Sequence, residues 1–448
     1  MLSRARQLLL TCTLIVLALA RPAHAECPTL PLRAVDCSFI PQIESLGGTF
    51  TDSAGQRDFL TILKSAGYNA VRLRVWNNPP DGWCSPAQTY ALALRVKAAG
   101  MQLIIDFHYS DSWADPGQQN KPAAWASMNF GALRTAIRSF TAEVVGALKQ
   151  QGTPPDIVQL GNEIGNGMLW NDGRVGWIYE SNFPQLASLL QSAAAGVSDA
   201  MSPRPPIMIH LETGGDNART RSWFDNAVLR GVPFDIIGLS YYPWWHGTLE
   251  QMRTNVRDAA ARYGKPIFIA ETAYPFTLGW NDNTGNFVGL QSQLLPGYPA
   301  TPQGQADFTN AVAQIIADIP NGRGMGVAWW APEFSAFPGL GSPWENLALV
   351  DFNHAALPAL LTLGGGRSAD FNSDGFLDFT DFDSFVVAFE AGEVGADFNN
   401  DAFLDFTDFD AFVSRFEAGC QPNSSAGSAK HGCPRRLRTL PSGSRCTP

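Results

Sequence analysis

The chain has 448 residues and a formal net charge of −10, enough length for one large domain with a small companion. The charge is local: residues 369–419 hold 13 Asp and Glu against one Arg, a balance of −12 that leaves +2 for everything else. A nearly neutral main body excludes the basic face that nucleic-acid binding needs, and the chain's 13 Trp offer faces that stack on the C–H faces of sugar rings, although most are expected in the core.

Residues 1–25 read as a secretory leader: Arg4 and Arg6, an apolar run from Leu8 to Ala20, then Ala23-His24-Ala25 as a small-residue cleavage site. No later run approaches the ~20 apolar residues of a membrane span, so the mature chain is expected to be exported and free of the membrane. Glu26 before Cys27 argues against lipoprotein processing. Beyond the leader stand Cys27, Cys37, Cys84, Cys420, Cys433 and Cys446, free to pair in an oxidising compartment in more ways than sequence can choose between.

From Arg33 onward the pattern alternates strand and helix. Strands are expected at Ala34–Phe39, Ala70–Trp76, Gln102–Phe107, Ile157–Leu160, Ile207–Leu211, Ile236–Leu239, Ile267–Ala270 and Met325–Trp330. Between them lie stretches with apolar spacing near 3.6, such as Leu133–Lys149 and Gln185–Ala200. Eight such alternations predict an α/β fold, a (β/α)8 barrel spanning residues 26–363. The rival, a doubly wound open sheet, lacks the Gly-rich phosphate loop after its first strand.

Polar and aromatic residues gather at the strand ends, where barrel enzymes build their sites. Glu163 and Glu271 each follow a strand-like apolar run, which places both carboxylates at one rim. Two converging carboxylates are the minimum for glycoside hydrolysis, one as proton donor and one as nucleophile or base. In the second strand Arg72 and Arg74 alternate with apolar residues. Arg74, nearer the strand end, is expected beside Glu271, holding it ionised; a structural salt bridge is the other use of that side chain.

Gly364-Gly365-Gly366 opens a linker, 364–368. An internal repeat of period 27 follows, Ala369–Gly392 against Ala396–Gly419, within a module at 369–419. Each copy opens on an EF-hand-like register. Asp370, Asn372, Asp374, the Phe376 carbonyl, Asp378 and Asp381 fill the ligand positions of the first. Asp397, Asn399, Asp401, Phe403, Asp405 and Asp408 fill those of the second, with Ala402 where a turn glycine belongs. These loops are similar to those of dockerin modules, which implies a small α-helical calcium-binding module with a cohesin-like partner. Helical stripes Phe382, Phe385, Phe389 and Phe409, Phe412, Phe416 are expected to pack the two units together. The basic tail at 420–448 carries no assignment.

The barrel resembles glycoside hydrolase family 53, the arabinogalactan endo-β-1,4-galactanases, over residues 33–363. The resemblance rests on DFHYSDSWADPGQQNKPAAW from Asp106, QLGNEI around Glu163, GLSYYPWWHGTL from Gly238, ETAYP at Glu271 and WENLALVDF from Trp344. It implies a polysaccharide substrate, the β-1,4-galactan of pectin side chains, with Glu163 as acid/base and Glu271 as nucleophile of a retaining reaction. It further implies that Asn162 bonds the sugar 2-hydroxyl and that His108 and Tyr242 orient the two Glu. Trp330 then floors the subsite that is cleaved and Trp344 is a further substrate contact, while Trp113, Asp115 and Gln118 belong to outer subsites. Bacterial members are implied to hold calcium in the loop after the nucleophile strand through an Asp-x-Asp-x-His-x-Asn pattern. Here Gly279–Asn286 contains no His, and no cofactor is needed for the chemistry itself. Another retaining barrel glycanase, acting on mannan, xylan or β-glucan, remains open, as does a carbohydrate-binding protein without catalysis.

Overall fold

The structure, a computed structural model, describes residues 30–52, 54–176, 182–364, 371, 372 and 378–398, together with 404–406, 408, 409, 412, 413 and 416. Eight strands close a parallel barrel in sequential order: β1 Leu32–Asp36, β2 Ala70–Val75, β3 Gln102–Phe107, β4 Ile157–Leu160, β5 Ile207–Leu211, β6 Ile236–Tyr241, β7 Ile267–Thr272 and β8 Gly324–Trp330. Leu32 to Asp36 pair with Gly326 to Trp330, which joins the last strand to the first. The first strand ends at Asp36, three residues before the expected Phe39, because Cys37 and Ser38 turn the chain into the short helix Ile40–Ser45.

Inside a barrel every second residue of a strand points inward. At one end those positions are Ala34, Ala70, Ile104, Ile157, Met208 and Ala328, members of one buried apolar cluster. Two residues further along each strand the inward side chain is polar or aromatic: Asp36, Arg72, Asp106, Gln159, His210 and Trp330. These six strands therefore carry an apolar plug toward the start and a functional layer toward the end.

Helices cover the outside. Phe130–Gln150, capped by the Asn129 side chain on Ala132 N, packs against Phe183–Ala200. Their approach requires Gly196, where a Cβ would lie 2.4 Å from the Arg138 carbonyl oxygen. The last barrel helix is Pro358–Gly364; Gly364, expected to open the linker, is buried against Ala66 and belongs to the barrel. Cys37 and Cys84 are buried free thiols. The leader, Cys27, residues 365–370 and the tail lie outside the described residues. No helix among the described residues is long and apolar enough to cross a membrane.

In the repeat, Asp378 caps helix Phe379–Glu390, and Phe385 stacks on Phe412 with centroids 4.0 Å apart. Phe382, Phe389, Phe409 and Phe416 join the same cluster, so the two stripes share one core. Of the expected calcium ligands, Asn372, Asp378, Asp381, Asp397, Asp405 and Asp408 are described, and Asp370, Asp374, Phe376, Asn399, Asp401 and Phe403 are outside.

Candidate active site

A cleft of about 460 Å³ opens at the carboxyl ends of the strands, and both Glu163 and Glu271 line it. Glu271 sits on β7 with Ser240 as its neighbour on β6, at a point where the pairing slips by one residue after Leu239. Its Oε1 lies 3.1 Å from Arg72, and its Oε2 accepts the Tyr242 hydroxyl at 3.0 Å. Glu163 stands one turn beyond β4 in the left-handed region (φ 49°, ψ 51°), a conformation that surrounding contacts have to hold. They do: Trp223 Nε1 donates to the Ile164 carbonyl at 3.0 Å, and Gln119 Nε2 donates to the Asn162 carbonyl at 2.8 Å. Gly165 N donates to Glu212 at 3.0 Å, and Arg219 anchors Glu212 from the other side.

The cation beside Glu271 is Arg72, which corrects the expectation for Arg74. Arg72 is buried in the barrel, 2.8 Å from Asp36, 2.9 Å from Asp106 and 2.7 Å from Asn162 Oδ1. Arg74 lies outside the cleft lining. Its guanidinium is sandwiched between Phe39 and Trp113, 4.2 and 4.4 Å from their centroids, and donates to Cys84 Sγ. It stiffens the wall rather than touching the carboxylate.

The two carboxyls are driven apart electrostatically. Burial raises both, as desolvation penalises charge. Glu271 is pushed up to about 7 by burial, with Arg72 pulling it back most strongly. Glu163 is held well above its ordinary value by burial first, then by the negative fields of Glu271 and Glu212. In such a pair the proton resides on Glu163, leaving Glu271 as the carboxylate.

Asn162 spends Oδ1 on Arg72 and one N–H on the Ala114 carbonyl at 2.9 Å, which leaves its second N–H for the cleft. His108 lines the cleft but does not orient either Glu. Its Nδ1 accepts from Trp76 Nε1 and Ala114 N at 3.2 and 3.1 Å, and its Nε2 donates to Asp106 at 3.0 Å, so both ring nitrogens hold the third loop in place. Trp330 and Trp344 meet edge to face with centroids 4.5 Å apart, and Trp344 Nε1 donates to the Trp330 carbonyl. Trp113, 6.0 Å from Trp330, continues this aromatic wall. Asp115 and Gln118 line the same cleft and are tied to each other at 2.9 Å.

Trp245, in the polar and aromatic run after β6, lines the cleft as the strand-end pattern predicts, 5.7 Å from Phe287; Phe287 and Phe39 line it too and escaped the sequence reading. Beneath it lies a buried polar layer of Asp36, Asp106, Gln159, His210 and Ser240. Its sequence signal was available: each is a polar residue interrupting an apolar strand. In the loop after β7, Asn286 donates to the Gly279 carbonyl at 3.2 Å, and Asp282 accepts at 2.9 Å from Ser342 N in the loop after β8, which ties the two loops together.

Residues 32–363 match the model of glycosyl hydrolase family 53. The chain belongs to this family. Relatives agree along the barrel. An uncharacterized protein in the bgaB 5′ region of Niallia circulans is 44% identical over 341 residues, 74% of this chain and 93% of its own length. An arabinogalactan endo-beta-1,4-galactanase of Cellvibrio japonicus is 35% identical over 340 residues, 73% of this chain and 88% of its own. Among solved structures, the GH53 catalytic domain of Ignisphaera aggregans superposes with a TM-score of 0.71 at 39% identity, covering 75% of this chain and 97% of that one. The family 53 barrel thus spans residues 32–363, and the repeat lies beyond it.

Proposed function

We propose that this chain is an exported, retaining endo-hydrolase of β-1,4-galactan, acting on the (arabino)galactan side chains of pectin. The observation that carries the reading is the asymmetry of the pair: Glu163 and Glu271 share one aromatic cleft, and Arg72 stands at Glu271 alone. The name of the Cellvibrio japonicus relative supplies the substrate class. In the first step Glu271 attacks the anomeric carbon while Glu163 gives its proton to the glycosidic oxygen, and the C–O bond breaks to leave a galactosyl-enzyme. Glu271 is then neutralised, Glu163 is ionised, and it takes a proton from the water that releases the sugar with retained configuration. The free N–H of Asn162 serves the 2-hydroxyl, and the Trp113–Trp330–Trp344 wall holds the rings. A panel of galactan, mannan, xylan and β-glucan tests this: galactan alone should yield short oligosaccharides. Preference for another glycan would make the chain a different retaining glycanase, and no turnover on any would make it a binding protein.

The repeat at 369–419 is, in the same reading, a calcium-bound docking module with a cohesin-like partner. Asp381 and Asp408, the last ligand of each loop, are fully buried, and Asp381 accepts the N–H groups of Asn372 and Asp378 at 3.2 and 2.9 Å. Buried carboxylates held inward by their own loop fit a calcium site. Calcium would neutralise the clustered Asp side chains and let the Phe core close, so binding free energy becomes folding free energy. Chelation should unfold the repeat and leave galactan hydrolysis intact; lost hydrolysis with a folded repeat would place the metal in the barrel.

A further inference from the structure

One hydrogen-bonded path inside the barrel ends on Glu163. Ser240 and His210 are both fully buried. Ser240 Oγ lies 2.7 Å from Glu163 Oε1 and 2.8 Å from His210 Nε2. Across the imidazole, Nδ1 lies 2.9 Å from Asn162 Oδ1, 3.1 Å from Gln159 Nε2 and 3.4 Å from Arg72. The register slip after Leu239 sets the Ser240 hydroxyl at this height.

Counting donors fixes the directions. Burial, and then the charge of Arg72 with His108 and His246 behind it, hold His210 well below its ordinary pKa, so the ring is neutral with a single N–H. Gln159 Nε2 and Arg72 both face Nδ1 but give their N–H groups to nearer oxygens of Asp106, Gly161 and Asn162, whereas Asn162 Oδ1 only accepts, which places the ring N–H on Nδ1. Nε2 then accepts the one proton of the Ser240 hydroxyl, and Ser240 Oγ is left to accept from Glu163 in its acid form. Once Glu163 is ionised, the same hydroxyl proton has to turn to the carboxylate, and Nε2 loses its only donor in a dry site.

We propose that Ser240 and His210 form a two-position relay that holds Glu163 in its acid form and reverses when Glu163 gives its proton to the leaving group. This rests on the acid/base reading of Glu163 and assigns two positioning residues behind it. Without a competing acceptor, Ser240 would favour the carboxylate outright; His210 withholds that bond until the glycosidic oxygen takes the proton. The other groups facing Glu163 are Glu271, Glu212, Asp115 and Tyr242, and the side chains of Ser240 and His210 hydrogen-bond to none of them.

The test is made on the full chain with 15N-labelled histidine, following His210 across the basic limb of kcat/KM on linear galactan. The Nε2 resonance should shift with the midpoint of that limb although the ring does not protonate, and Ser240→Ala should abolish the response. His210→Phe removes the competing acceptor, so the basic limb should move down by about one pH unit. In the Ser240→Ala background the same change should move it no further. A flat His210 resonance, or an equal displacement with and without Ser240, overturns the relay. If His210→Phe does not fold, the resonance in the native and Ser240→Ala proteins decides alone. Failure of the parent reading looks different: Glu163→Gln would then hydrolyse galactan at the native rate, whatever His210 does.

Discussion

Arg72→Met is the sharpest perturbation of the site, because this one cation, 1% exposed, serves three carboxylates. Its contact with Glu271 at 3.1 Å is worth about 5 kcal/mol at an effective dielectric near 20. Relaxation and entry of water return part of that, leaving roughly 3 kcal/mol, or about 2 pH units on Glu271. Glu271 is already pushed up to about 7 with Arg72 in place, so the variant should hold it protonated at neutral pH. A protonated carboxyl is no nucleophile. The acid limb of kcat/KM on galactan should therefore move up by about 2 units, with a loss of roughly 100-fold below it. Truncating one partner of a buried ion network also costs about 3–5 kcal/mol, so Tm should fall while far-ultraviolet circular dichroism reports a folded barrel at 25 °C. A folded variant whose acid limb stays within about half a unit of the native one would refute the electrostatic account of Glu271.

Tyr242→Phe removes the hydroxyl donated to Glu271 at 3.0 Å, a bond to the charged form worth about 1.5–3 kcal/mol; kcat/KM should fall about 10-fold or more, with the acid limb moving up. An unchanged pH profile would show that the bond is not made in solution. Glu163→Ala should be severe on galactan yet milder on aryl galactosides, whose leaving groups need no proton, and azide should restore turnover with a β-azide product; an α-azide would contradict the assignment. Glu333 is buried, and burial pushes it up from 4.5 to about 8. A carboxyl raised in the folded state costs stability as pH climbs from the unfolded to the folded pKa, so native stability should decline between pH 4.5 and about 8 and level off above. Glu333→Gln should lose that slope in denaturant titrations at pH 5 and 9, and an equal slope in both proteins would be the contrary result.

The barrel was legible because its strands are short apolar runs set at regular intervals, and all eight were found within a few residues. Glu163 and Glu271 were legible because each follows directly on such a run. Arg72 and Arg74 show where reading stops. Both lie on the same face of β2, so alternation alone treats them alike. Which one reaches Glu271 depends on the tilt and stagger of neighbouring strands, and these exist only once the barrel closes. Arg72 is level with Asp36 on β1, and Arg74 with Asp106 on β3. His108 failed for a related reason: its ring nitrogens are taken by Trp76, Ala114 and Asp106, partners set by the folding of a loop rather than by any spacing. Phe287 reaches the cleft from a long loop, where no periodicity marks it.

The central claim is that Glu271 attacks sugar and Glu163 supplies the proton, in a double displacement. Proton NMR of the first-formed oligosaccharides from linear β-1,4-galactan tests it most directly, recorded before mutarotation mixes the anomers. The account predicts that the newly formed reducing end appears as the β-anomer and converts to the α/β mixture only afterwards. A reducing end that appears first as the α-anomer would contradict it, since water would then have attacked the sugar in a single displacement.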